Sequence, residues 1–116
     1  METGDYQKLI KSKNVLDYGT LNVTLEELQK LGDARLMMQL ERIMRDNRIE
    51  KPTEHNKRDE KATDYYTIDL DVDDISAIVS MFGDKEVGSL GPNYETTKAA
   101  SFYATLLDNW NGIILD

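Results

Sequence analysis

Asp69, Asp71, Asp73 and Asp74 crowd one short stretch of the chain. Carboxylates at alternating positions are the donor pattern of a calcium-binding loop between helices. Counted from Asp69, the sixth position is Asp74, where the sharp turn of such a loop needs glycine. The twelfth is Ser80, where a bidentate glutamate is needed. The register therefore excludes calcium. The same residues suit the first turn of a helix, where carboxylates accept from free N–H groups and meet the positive end of the dipole. Asp71 is the expected cap, and Asp69 is left as an exposed strand residue.

Other chemistries lack their parts. Cysteine is absent, which removes thiol nucleophiles, thiolate metal sites and disulfides together. The sole histidine, His55, lies in a charged stretch with nothing to position it as a base. There is no Gly-x-Ser-x-Gly elbow and no His-Glu-x-x-His helix. Gly88-Ser89-Leu90-Gly91 could offer backbone N–H groups to an anion, but the lysine and Ser/Thr of a phosphate loop are missing. Asp84 and Glu86 flank it, with only Lys85 and Lys98 as nearby bases. No enzyme activity, cofactor or metal is expected.

Charge carries more. The chain of 116 residues has a net charge of −8 and a pI of about 4.6. From Asp69 onward, nine acids face two bases, so −7 of that charge belongs to the C-terminal part. Such a surface repels phosphate backbones and attracts basic proteins. Tyrosines, common interface anchors, are interleaved with it. The expectation is a small acidic protein-binding inhibitor or immunity-type protein. Its partner would be basic and nucleic-acid-handling, of a toxin or nuclease kind. The residues expected to meet that partner are Asp69, Asp71, Asp73, Asp74, Asp84, Glu86, Tyr65 and Tyr94, with Tyr103 assigned to the core. The alternative is a nucleic-acid-binding regulator using Arg35, Arg42, Arg45 and Arg48 on one helix. Glu41 and Asp46 offset those cations, so nucleic acid is not the expected partner. No membrane partner is expected, since no apolar run approaches a spanning length. The N-terminal residues show no basic-then-apolar signal, and a cytoplasmic location is expected.

The elements that must position these groups can be read from periodicity. Tyr6, Leu9, Ile10 and Leu16 suggest a short helix within residues 5 to 17. Tyr18-Gly19-Thr20 reads as a turn, and Leu21 to Val23 as a short strand. Thr24 and Glu27 form a capping box, with Val23 and Leu28 as a staple, opening a helix that runs to about Asn47. Gly32 marks a break near Lys30 to Asp33. Residues 48 to 64 are charged, contain Pro52, and read as a mobile loop. Tyr66, Ile68 and Leu70 then alternate as a half-buried strand. A helix follows from Asp71, with Ile75, Ile78, Val79 and Phe82 inward and Gly83 as its stop. A last helix spans about Asn93 to Asn111, burying Ala99, Phe102, Tyr103, Leu106, Leu107 and Trp110. Ile113 to Leu115 could pair as a strand. The sum is a small, mainly helical α+β domain over residues 1 to 116, with three to four helices and a two- or three-stranded sheet.

Overall fold

The computed structural model describes residues 3 to 51 and 63 to 113. The chain divides into two packing units, Met1–Asp69 (which also takes in Ile114–Asp116) and Leu70–Ile113. Among the described residues there are five α-helices and one two-stranded antiparallel sheet, so the α+β class stands with one helix more than the sequence suggested.

The first unit begins with α1, Thr3–Ile10, whose Tyr6 is almost fully buried. Burial pushes the Tyr6 phenol up from its ordinary pKa, with Tyr65 and Asp64 adding to the shift. Strand β1 follows at Val15–Asp17. The expected helix over residues 5 to 17 thus stops at Ile10, because Leu16 packs inward from a strand instead.

Helix α2 is Tyr18–Leu31. The expected strand at Leu21 to Val23 is a helical turn, and Thr24 is not a cap. Asp17 holds that role: its carboxylate accepts from the Thr20 N–H at 3.2 Å and from the Thr20 hydroxyl at 2.6 Å. Thr24 lies fully buried one turn further on, donating its hydroxyl to the Thr20 carbonyl at 2.7 Å. Glu27 is also buried and meets Lys30 at 3.3 Å. The capping-box pattern was an accident of residues chosen for the interior.

The break at Gly32 stands. Gly32 closes α2 at φ 81°, a left-handed value that suits glycine. Asp33 then caps α3, Ala34–Asp46, through the Leu36 N–H at 3.1 Å. Leu36, Leu40 and Ile43 form its buried stripe.

Strand β2, Tyr65–Thr67, pairs with β1 so that Leu16 faces Tyr66. The partner is therefore Val15–Asp17 rather than Leu21 to Val23. On its other edge, β2 accepts from the Ile49 N–H and donates to the Asn47 carbonyl, and Arg48 bridges to Tyr66. This irregular third segment satisfies backbone groups that a two-stranded ribbon would leave open. Burial alternates through Tyr66, Ile68 and Leu70, as the sequence pattern demanded.

The expected loop of residues 48 to 64 has anchored ends. Ile49, Lys51 and Asp64 are buried. Lys51 pairs with Asp64 at 2.8 Å and donates to the Thr63 hydroxyl, while Arg48 reaches Asp64 at 3.9 Å. Residues 52 to 62, with His55, lie outside the described residues.

The second unit is a helical hairpin, α4 at Val72–Gly88 and α5 at Lys98–Asn111. Gly83 does not stop α4. It lacks the positive φ that a glycine stop uses, and burial of Met81 and Phe82 carries the helix on for another turn. Contacts at Phe82 with Tyr103 (6.3 Å between rings) and Ser89 with Thr97 fix the two helices as antiparallel. Helix α5 starts later than expected, because Asn93 and Tyr94 hold φ of 58° and 63° and cannot belong to a right-handed helix. Its inward residues are Ala100, Leu106 and Trp110, with Tyr103 and Leu107 half-buried. Ala99 and Phe102, expected inside, face out. Ile113 is not in a strand, and residues 114 and 115 lie outside the described residues.

Candidate functional site

The second unit carries seven carboxylates and two lysines, a net charge of −5. Helix α4 positions most of them. Asp71 is its cap and accepts from the Asp74 N–H at 2.8 Å, as its place before a helical stripe implied. Asp74 is buried at the third helical position. These two are therefore committed to holding the helix start. Asp73 is exposed in the same first turn, near the positive end of the helix dipole. Asp84 lies eleven residues further on, close to three turns, and so shares its face of α4. Ser76, Ala77 and Ser80, all exposed, fill that face between them.

The connection between the helices is tied at both ends. Thr97 caps α5 by accepting from the Ala100 N–H at 3.0 Å, and its hydroxyl donates to the Ser89 carbonyl at 2.6 Å. The Gly91 N–H donates to the Glu95 carbonyl at 2.7 Å, and the Tyr94 N–H to the Gly91 carbonyl at 3.1 Å. Between these ties Pro92, Asn93 and Tyr94 make a tight turn with two consecutive left-handed residues. Asparagine tolerates that conformation; tyrosine pays a steric cost in it. Tyr94 is 83 % exposed. Val87, in the last turn of α4, and Phe102, in the second turn of α5, are also exposed. The antiparallel pairing places all three toward the connection end of the hairpin, together with Asp84, Glu86 and Glu95.

The eight expected partner-binding residues thus separate. Asp84, Glu86 and Tyr94 come to one end of the hairpin. Asp73 is at the far end of α4, and Asp71 and Asp74 are occupied by its start. Asp69 and Tyr65 belong to the first unit. Tyr65 is half-buried in β2 opposite Asp17. Asp69 accepts two hydrogen bonds from the Arg42 guanidinium, at 2.7 and 3.0 Å. These bonds hold its carboxyl below the usual carboxylate range and push the guanidinium up. By contrast Asp73, Asp84, Glu95 and Asp108 make no ion pair among the described residues.

Val87 and Phe102 were missed. For Phe102 a signal existed: a helical phase through Ala100, Tyr103, Leu107 and Trp110 leaves it on the outer side. The arginine alternative is weakened by geometry. Arg42 is held by Asp69 and Gln39, Arg45 by Asp46 at 3.1 Å, and Arg48 lies near Asp64. A shallow depression of about 320 Å³ beside Met38, Gln39, Glu41, Arg42 and Arg45 is lined by those same committed groups. No cluster of three metal-ligating side chains occurs among the described residues, and none of their helices is long and apolar enough to cross a membrane.

Comparison of the chain with protein-family models, with curated proteins and with solved structures finds no match.

Proposed function

We propose that this chain is a small protein-binding inhibitor that docks a basic partner through its acidic helical hairpin. The partner class is a nucleic-acid-handling protein of the toxin or nuclease kind, whose phosphate-binding surface the carboxylates would occupy. The observation that carries the reading is the use of charge. In the first unit, the cations Arg42, Arg45, Arg48 and Lys51 pair with Asp69, Asp46 and Asp64. In the second, Asp73, Asp84, Glu95 and Asp108 stay exposed and form no pair. Unpaired surface carboxylates of one sign attract a basic partner and speed its docking.

The test is binding of the full chain to peptides of alternating lysine and arginine with Gly-Ser spacers, by calorimetry at rising salt. Acidic peptides of the same length serve as controls. Binding that weakens steeply with salt, and weakens again on Asp73→Asn, Asp84→Asn and Asp108→Asn together, supports the reading. Small basic nucleases then report inhibition directly. Equal affinity for basic and acidic peptides, or no binding even at low salt, sinks it.

A further inference from the structure

Resting on the proposed function, we infer that the connection end of the hairpin is the contact point, with Tyr94 as the anchor that takes a lysine- or arginine-bearing segment of the partner. Three observations converge there. First, Tyr94 is the most exposed large hydrophobic residue described, and Val87 and Phe102 lie exposed toward the same end. Exposed apolar groups gathered at one place mark interaction surfaces, whereas scattered ones do not. Second, the backbone works to hold the ring out. Tyr94 keeps φ 63° after an already left-handed Asn93, and the Gly91–Glu95 and Thr97–Ser89 bonds fix the turn on either side. Strain kept at an exposed aromatic position, where a glycine would relieve it, points to use of the side chain. Third, the surrounding charge selects the occupant. Asp84, Glu86 and Glu95 stand around the patch against Lys85 and Lys98. A cationic side chain can lie on the face of the ring while its charge meets the carboxylates.

The same charge argues against other occupants. A second copy would bring −8 against −8, and a nucleic acid would bring phosphates. A lysine- or arginine-bearing peptide fits both the ring and the charge.

The experiment maps backbone amide shifts of the full chain by NMR while the alternating Lys/Arg peptide is titrated in. The largest shifts are expected at Val87, Asn93 to Glu95 and Phe102. Tyr94→Ala should weaken affinity about tenfold, and Tyr94→Phe less than about threefold, since the ring face remains. Tyr94 is exposed, so neither change should alter the fold, and helical circular dichroism checks this. If the peptide binds but its shifts centre on Asp73 or Asp108, or if Tyr94→Ala binds like the unaltered chain, the anchor is overturned while the proposed function survives. If no basic peptide binds, both fall. Self-association or single-stranded DNA binding that Tyr94→Ala abolishes would overturn the choice of occupant.

Discussion

Removing the Asp17 carboxylate is the sharpest test of how the first unit is built. In Asp17→Ala, helix α2 loses the acceptor for the Thr20 N–H at 3.2 Å and the partner of the Thr20 hydroxyl at 2.6 Å. Loss of an N-cap costs about 1 kcal/mol. Loss of a hydrogen bond to a charged acceptor adds about 1.5 kcal/mol, reduced here because Asp17 is only half-buried. The total should be about 2 kcal/mol. With an m-value of about 1.5 kcal/mol per molar urea for a chain of this size, the midpoint should fall by about 1.3 M. Asp17→Asn keeps a capping oxygen and should recover most of the loss. Urea titrations followed by helical circular dichroism measure both. Were Thr24 the true cap, as its spacing to Glu27 suggests, residue 17 would lie outside the helix. A shift below about 0.3 M for Asp17→Ala would then refute the assignment.

Three further outcomes are expected. Lys51→Met should destabilise the chain by about 3–5 kcal/mol, because it leaves the Asp64 carboxylate buried without its close cation; Lys51→Met with Asp64→Leu should recover much of that loss in the same urea assay. Tyr94→Gly should leave stability unchanged or raise it by up to about 1 kcal/mol, since glycine accepts the left-handed turn, while weakening the basic peptide as Tyr94→Ala does. The Asp69 carboxyl is held below its unfolded pKa, so the Arg42 pair stabilises above about pH 4 and is lost as pH falls through the lowered value. With Asp69 about half exposed, that contribution should stay under about 1 kcal/mol. The stability gap between the unaltered chain and Arg42→Gln should therefore be small at pH 7 and vanish near pH 2.

Features set by adjacent residues could be read directly. Asp71 caps a helix because a helical stripe begins just after it. Gly32 breaks one because only glycine takes φ 81° at low cost there. The alternation of Tyr66, Ile68 and Leu70 needs only a period of two. What escaped reading was decided at a distance. Val15–Asp17 becomes a strand because Tyr65–Thr67 lies beside it, some fifty residues on in sequence. Without that partner, Leu16 fits a helix equally well, and the next strand-like run, Leu21 to Val23, competes for the role. The candidate site divides along the same line. Its carboxylates were visible as composition. Which of them stay unpaired depended on Arg42 finding Asp69 across 27 positions. The outward face of Phe102 depended on the phase of α5 against α4.

The Lys51–Asp64 pair has a consequence for engineering. It joins the two ends of the intervening segment at one buried point, so the chain leaves and re-enters the fold at a fixed place. A segment closed in this way communicates with the rest of the protein mainly through the entropy of joining its ends. Each doubling of its length adds only about 0.6 kcal/mol to that cost. The stretch between Lys51 and Thr63 is therefore the natural graft point for an epitope, a reporter or a second binding module. The acidic hairpin would keep its own sequence while such cargo is carried.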